Sequence, residues 1–285
     1  MTTVVLALWL REATTALASV ADQPRMEARR LVAFVCGWDA GQQIADPGRP
    51  LSLHQQAQLD HALQRRLDDE PLSRILGRRE FWGLDLSIDG ATLDPRADTE
   101  TLVDLVLETY AADAAAPSRI LDLGTGSGAI LLALLSAYPR ATGLGIDQSA
   151  ATVETARGNA RDLGLNARAR FEVGDWLNGV QGRFDLIVSN PPYIPTGDLP
   201  LLARNVREFD DPAALDGGAD GLIFYRRTLT EAAAVLEPGG VLAVEIGIDQ
   251  RDAVAEAAFG LGWSISGQRA DLAGIPRALT MVRLA

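Results

Sequence analysis

The sequence contains no lysine, only one cysteine and no long apolar run, and each of these features excludes a class of partner, bond or segment. All 26 basic residues are arginine, and 38 acidic residues give a formal net charge of −12. Residues 1–80 carry ten arginines and ten acids, whereas residues 81–285 carry sixteen arginines and twenty-eight acids. A broad contact with a nucleic-acid backbone needs clustered cations. We therefore expect no direct nucleic-acid partner.

The single cysteine, Cys36, excludes an intrachain disulfide and fits a reducing compartment. It lies in the apolar segment 31–36, so we interpret it as a buried small hydrophobe and not as a nucleophile. The apolar residues near the N-terminus meet Arg11 and Glu12 too soon to span a bilayer, and no basic segment typical of a signal peptide precedes them. We expect a soluble, cytoplasmic protein with no membrane partner.

A metal site is not expected either. His54 and His61 are the two histidines, and they lie on one predicted helix among glutamine and arginine. No cysteine or acidic cluster accompanies them at ligand spacing.

The first quarter of the chain predicts a helical domain, residues 1–78. Apolar residues follow helical spacing, and Ser52 with Gln55 forms a capping-box pattern that opens a helix. From residue 80 the period changes to two, and Asp89-Gly90 is a turn signal. We therefore predict a β-hairpin linker over residues 79–95 with its turn at Asp89-Gly90.

The catalytic domain is predicted over residues 96–285. A helix capped around residues 94–98 should run to Tyr110, and the small residues 111–117 should then break the chain. Short apolar runs alternate with helical patterns, which is typical of a doubly wound, Rossmann-like α/β sheet. The last two runs should pair antiparallel at the sheet edge. The predicted strands are Arg119–Leu123, Thr142–Ile146, Ala169–Val173, Asp185–Ser189, Val241–Ile246, Trp263–Gln268 and Ala278–Leu284.

A glycine-rich loop follows the first of these strands and comes before an apolar helix. Glycines there permit a tight turn and a close approach of the backbone to a ligand. The pattern serves dinucleotides and S-adenosylmethionine equally well, and it also occurs where a helix merely packs on a strand. The loop residues are Gly124, Thr125, Gly126, Ser127 and Gly128.

Two further strand ends carry ligand candidates. Asp147 lies about twenty residues after the glycines, where an acid accepts hydrogen bonds from ribose hydroxyls, although it can also cap the helix near Ser149. Trp176 can stack on an adenine ring or serve as a core aromatic. Both residues are predicted to bind the cofactor.

The fourth predicted strand ends in Asn190-Pro191-Pro192-Tyr193. The prolines remove backbone donors and stiffen the turn, so carbonyl groups point outward beside the Asn190 oxygen. A planar N–H2 group is a weak nucleophile, because its lone pair is delocalised. Acceptors at Asn190 and Pro191 would hold both N–H bonds, and Tyr193 would lie on the plane. We predict these four residues as the catalytic, substrate-binding group.

The chain resembles the peptide chain release factor glutamine methyltransferases of the HemK/PrmC type. The resemblance is carried by residues 80–83 (EFWG), 95–100 (PRADTE), 122–128 (DLGTGSG), 174–176 (GDW), 189–194 (SNPPYI), 214–222 (ALDGGADGL) and 271–277 (DLAGIPR). It implies N5-methylation of the glutamine in the Gly-Gly-Gln loop of release factors, with S-adenosylmethionine as cofactor. It also implies that Asn190 contacts the cofactor as well as the substrate amide.

Three positions depart from the family pattern: Asp94, Ala97 and Asp211. The roles of Phe81, Arg96 and Glu100 stay open between bordering the site and seating the hairpin. The remaining alternatives are methylation of a ribosomal-protein glutamine, methylation of an adenine amine, a non-catalytic cofactor-binding module and a nicotinamide oxidoreductase. The acidic catalytic half disfavours the adenine amine, and the intact motif at Asn190 disfavours the non-catalytic module. Nothing in the sequence supplies the hydride acceptor site of an oxidoreductase.

Overall fold

The computed structural model describes residues 4–111 and 116–284. The chain divides into two compact units, each described separately below. One comprises Met1–Gly77 with Arg204–Phe209, and the other comprises Arg78–Ala203 with Asp210–Ala285. Among the described residues, no helix is both long and apolar enough to cross a membrane.

The first unit is helical. Its core is formed by apolar side chains at helical spacing, and Leu6, Leu31 and Leu59 are fully buried. The predicted capping box is present, since Ser52 and Gln55 each accept a hydrogen bond from the other's backbone N–H. The helices are α1 Leu6–Leu17, α2 Pro24–Cys36, α3 Ala40–Ala45, α4 Leu53–Leu67, α5 Leu72–Leu76 and, further along the chain, α9 Arg204–Phe209.

The second unit begins with a hairpin of β1 Arg78–Phe81 and β2 Leu84–Ser87. The predicted position of its turn was wrong. The turn lies at Trp82-Gly83, where φ is 50° and 76°, as tight two-residue hairpin turns require. Asp89-Gly90 instead belongs to a local turn in which Asp89 Oδ1 accepts from the backbone N–H of Ala91 at 2.9 Å.

The central sheet has strand order β5-β4-β3-β6-β7-β9-β8. The first five strands in this order are parallel, while β9 runs antiparallel to β7 and β8 antiparallel to β9, as predicted for the edge pair. The strands are β3 Arg119–Leu123, β4 Thr142–Asp147, β5 Ala169–Val173, β6 Phe184–Ser189, β7 Leu236–Glu245, β8 Trp263–Ala270 and β9 Pro276–Arg283. The predicted doubly wound α/β class is confirmed.

Helices cover the sheet, and its central strands are buried. The sheet order reverses between β3 and β6, so a crevice opens at their carboxyl ends, where such folds bind ligands. Of the predicted break at residues 111–117, residues 112–115 lie outside the described residues. The helices are α6 Ala97–Ala111, α7 Ala129–Ala137, α8 Ala150–Asp162, α10 Ile223–Glu231 and α11 Arg251–Gly260.

Candidate active site

The glycine loop joins β3 to α7 at this crevice. Gly124, Gly126 and Gly128 have φ of 69°, 57° and 82°, a backbone region that side-chain-bearing residues rarely adopt. The N–H groups of Gly124 and Thr125 both donate to the carbonyl of Ile146, at 2.9 and 3.0 Å. A Cβ on Gly126 would meet no atom within 4 Å. The loop is therefore fixed on β4 while Gly126 borders open space.

Asp147 ends β4 and connects the loop to the next helix. Its Oδ2 accepts from the N–H of Gly126 and its Oδ1 from the N–H of Ser149, both at 3.0 Å. Ser149 in turn caps α8 by accepting from the N–H of Thr152. A carboxylate offers about four acceptor positions, so Asp147 supports α8 and retains acceptors for a ligand.

Trp176 follows β5 and has a φ of 58°. Only 8% of its surface is exposed, and its Nε1 donates to Thr228 Oγ1 at 2.8 Å. Its ring centroid lies 5.0 Å from that of Phe224. Trp176 is thus a core aromatic that also lines the cavity beside the glycine loop.

These elements line a cavity that opens to solvent beside the glycine loop. Asp211, one of the departures from the family pattern, caps a short 3₁₀ helix on the cavity wall by accepting from the N–H of Ala213. The lining residues that carry the site are Gly124, Gly126, Asp147, Trp176, Asn190 and Pro192.

Asp122 lies beneath the glycine loop and is fully buried. Its Oδ2 accepts from Thr125 Oγ1 at 2.6 Å, and its Oδ1 has no partner among the described residues. Burial raises the pKa of this carboxyl to about 7, although the Thr125 hydroxyl lowers it, and the Asp147 charge raises it further.

The loop after β6 carries the predicted catalytic residues. Ser189 Oγ donates to the carbonyl of Leu123 at 2.7 Å, which ties the ends of β6 and β3 together. Asn190 Nδ2 donates to Thr99 Oγ1 at 3.2 Å, and Tyr193 Oη donates to Glu245 Oε1 at 3.3 Å. Asn190 and Pro192 line the cavity.

A glycine of the segment 214–222 packs directly on this loop. A Cβ on Gly217 would come within 2.8 Å of the Tyr193 Cα and 2.9 Å of the Pro192 carbonyl oxygen. Gln250 Nε2 also donates to the carbonyl of Tyr193 at 2.8 Å. Close packing by Gly217 and the hydrogen bond from Gln250 therefore restrain this loop.

Two residues that form hydrogen bonds with this loop were not predicted from the sequence. Thr99 on α6 and Glu245 at the end of β7 are 3% and 1% exposed. Burial raises the pKa of Glu245 to about 7, while Thr99, Tyr193 and Arg277 lower it. One signal was available, because Glu245 is an acid inside the apolar run 241–246.

Other residues left open by the sequence have structural contacts. Phe81 is fully buried in the core, and Glu100 Oε1 accepts from the N–H of Trp82 at 3.0 Å, which favours seating of the hairpin. Arg96 forms an ion pair with the buried Asp210 at 2.8 Å.

The other two departures from the family pattern are local. Asp94 Oδ1 lies 3.6 Å from Arg79 Nε. Ala97 is the first residue of α6. Among the described residues, no group of three or more His, Cys, Asp or Glu side chains could hold a metal ion.

The family described as PrmC N-terminal domain matches residues 9–77, and the family described as Methyltransferase domain matches residues 116–257. Proteins named release factor glutamine methyltransferase from Rhodospirillum rubrum and Bradyrhizobium diazoefficiens are 50% and 46% identical to the chain. The alignments cover 82% and 91% of this chain and 71% and 88% of the relatives.

The chain belongs to the release factor glutamine methyltransferase family. The relative of that name from Agrobacterium fabrum is 44% identical over 93% of this chain and 92% of its own length. A solved methyltransferase from Pyrococcus furiosus has a TM-score of 0.54 and 22% identity, covering 71% of this chain and 90% of that one, which supports the fold alone. The predicted family and the methyltransferase class are thereby confirmed.

Proposed function

We propose that this protein transfers a methyl group from S-adenosylmethionine to the side-chain amide nitrogen (N5) of the glutamine in the Gly-Gly-Gln motif of peptide chain release factors. The observation that carries the proposal is the position of Asn190 and Pro192 on the wall of a cavity whose other walls are the glycine loop and Asp147. A nucleoside site and a cluster of amide-binding acceptors thus share one crevice.

The cofactor site is proposed from the cavity walls. S-adenosylmethionine, when bound, supplies an electrophilic methyl group on a sulfonium. Residues 124–128 would let the cofactor approach the backbone closely, and the open acceptor positions of Asp147 suit ribose hydroxyls. Trp176 offers an aromatic wall for adenine.

The substrate site is proposed at Asn190-Pro191-Pro192-Tyr193. Because Asn190 Nδ2 is engaged by Thr99, its Oδ1 points away from Thr99 and is free to accept an N–H of the glutamine amide. The Pro191 carbonyl would accept the other N–H, and the Tyr193 ring would contact the amide plane. Holding both N–H bonds directs the nitrogen toward the methyl group, and such orientation can supply much of the rate.

The protein substrate and the domain roles are also proposed. Release factors, acting in the cytoplasm, are favoured over an adenine amine because residues 81–285 hold sixteen arginines against twenty-eight acids. We propose residues 1–78 as the domain that grips the protein substrate, 79–95 as the linker and 96–285 as the methyltransferase domain.

The test is methylation by the full chain with labelled S-adenosylmethionine. A release factor and its Gln→Ala variant at Gly-Gly-Gln are compared, with a ribosomal-protein fraction and DNA as parallel substrates. Label on the intact release factor alone supports the proposal. Equal labelling of both release factors, or label only on the other substrates, would overturn it. Calorimetry that detects NADH binding but no S-adenosylhomocysteine binding would overturn the cofactor assignment.

A further inference from the structure

A set of buried, hydrogen-bonded side chains, called the polar network below, lies behind the proposed catalytic loop, residues 190–193. Asn190 Nδ2 donates to Thr99 Oγ1, and Tyr193 Oη donates to Glu245 Oε1. Thr99 comes from α6 and Glu245 from β7, so two separate elements contact the two ends of one short loop. Buried polar groups that make no use of their hydrogen bonds are costly. The two hydrogen bonds therefore satisfy polar groups that would otherwise be costly to bury.

One donor and one acceptor of this polar network match each other. Within residues 4–111 and 116–284, the Oε2 atom of Glu245 is buried with no hydrogen-bond partner. The Thr99 hydroxyl is near enough to stabilise the ionised carboxylate. Since Thr99 Oγ1 already accepts from Asn190, its proton is available, and we assign it to the unpartnered oxygen of the Glu245 carboxylate, whose pKa the Thr99 hydroxyl lowers.

An ionised carboxylate can only accept hydrogen bonds, whereas a hydroxyl can donate and accept. With Glu245 ionised, Thr99 and Tyr193 must both direct their protons to it. The remaining capacity of Thr99 is then acceptance, and only the nitrogen side of the Asn190 amide can satisfy it. Glu245 thus sets the direction of every hydrogen bond in the polar network.

We propose that Glu245 is a positioning residue that acts through Thr99 to hold Asn190 with Oδ1 toward the substrate amide. This inference rests on the proposed function, because it concerns how the same site orients its substrate. If residue 245 can donate, Thr99 can reverse and donate to Asn190. The Asn190 amide would then turn over and present N–H2 to the N–H2 of the substrate, which is repulsive.

The charge state of Glu245 should therefore affect the rate near neutral pH. The groups that face it are Asp98 from α6, whose charge raises its pKa, and Arg277 from β9, whose charge lowers it. Tyr193 faces it from the catalytic loop, and Tyr225 from α10 donates to its backbone carbonyl at 3.0 Å. The rate should rise with pH through about 7, where the carboxyl ionises.

The activity test uses single-turnover methylation of a release factor at saturating S-adenosylmethionine. Glu245→Gln and Thr99→Val should each slow transfer by roughly tenfold to a hundredfold, the scale of a lost orienting contact. Thr99→Ser, which keeps the hydroxyl, should restore most of the rate. Affinity for S-adenosylhomocysteine should change less than about threefold. Loss of cofactor affinity in parallel with rate would instead indicate a merely structural role and overturn the proposal.

The pH profile offers a matched control. Asp122 is a second fully buried carboxyl whose pKa is raised to about 7. Glu245→Gln should abolish the rise in rate through neutral pH, whereas Asp122→Asn should keep it. A rise that persists in Glu245→Gln and disappears in Asp122→Asn would assign the titration to the cofactor loop and overturn the proposal.

A readout without substrate separates this inference from the proposed function. The side-chain ¹⁵N–¹H signals of Asn190, assigned by their loss in Asn190→Asp, should shift and exchange faster in Glu245→Gln and in Thr99→Val. Should Glu245→Gln not fold, Thr99→Val carries the test. Responsive signals in a protein that labels no release factor would leave the inference standing and refute the proposed function. Unchanged signals in both folded variants would refute the inference.

Discussion

Asp147 provides the sharpest test of the cofactor site, because it both accepts from the backbone N–H groups of Gly126 and Ser149 and lines the cavity. Asp147→Ala removes the acceptor for the N–H groups of Gly126 and Ser149. Both contacts are partly exposed, so water can replace them, and the loss of stability should be about 1 kcal/mol. The proposed ribose contacts are charge-assisted, and their loss should cost about 1.5–3 kcal/mol. That corresponds to a roughly 10- to 150-fold weaker cofactor complex.

The assay is calorimetry with S-adenosylhomocysteine, accompanied by thermal melting of each variant. Asp147→Asn keeps an acceptor oxygen but loses the charge, so its affinity should lie between those of the wild type and Asp147→Ala. Ser149→Ala isolates the stability cost of losing the cap of α8, since it removes the acceptor for the Thr152 N–H, and it should lower stability by about 0.5–2 kcal/mol. A folded Asp147→Ala that binds as tightly as the wild type would refute the ligand role and leave only the contacts of Asp147 with the backbone of Gly126 and Ser149.

Three further predictions concern the same crevice. Asn190→Ala should slow methyl transfer by roughly a hundredfold or more while S-adenosylhomocysteine affinity changes much less, because the orienting acceptor is lost; near-normal single-turnover rates would contradict this. Gly126→Ala places a methyl group in open space at a φ of 57°, so calorimetry should show at least about tenfold weaker binding, with a folding cost of about 1 kcal/mol. Because burial raises the pKa of Glu245 from 4.5 to about 7, the native state holds the proton more tightly than the unfolded chain. Stability should therefore fall as pH rises through this window, by up to about 1.4 kcal/mol per pH unit, and urea unfolding of Glu245→Gln should show a flatter profile.

Much of the fold could be predicted because most of its helices and strands have short-range sequence patterns. The strands Arg119–Leu123 and Ala169–Val173 match their predicted bounds, since short apolar runs flanked by turn residues have few alternatives. The capping box at Ser52 is likewise a short-range pattern. The family and the methyltransferase class followed from motifs that combine a loop with a strand end.

The errors and omissions arise from contacts distant in sequence. At the hairpin turn, Glu100, eighteen residues away, accepts the N–H of Trp82 at 3.0 Å, and no local pattern marks tryptophan for a positive φ. Asp89-Gly90 also favours a turn, but that turn is a local one, in which Asp89 Oδ1 accepts from the N–H of Ala91. Glu245 meets Tyr193 only after β6 and β7 pair. The roles of the site residues themselves stay predictions until a ligand or a variant tests them.

The division of the helical unit between Met1–Gly77 and Arg204–Phe209 bears on how the protein is made. During synthesis the first helices leave the ribosome well before α9, because residues 78–203 must be translated in between. The helical unit therefore reaches its full set of helices only after most of the central sheet has been synthesised. A fragment that ends at Gly77 lacks α9, so binding of a protein partner to this unit is best measured on the full chain.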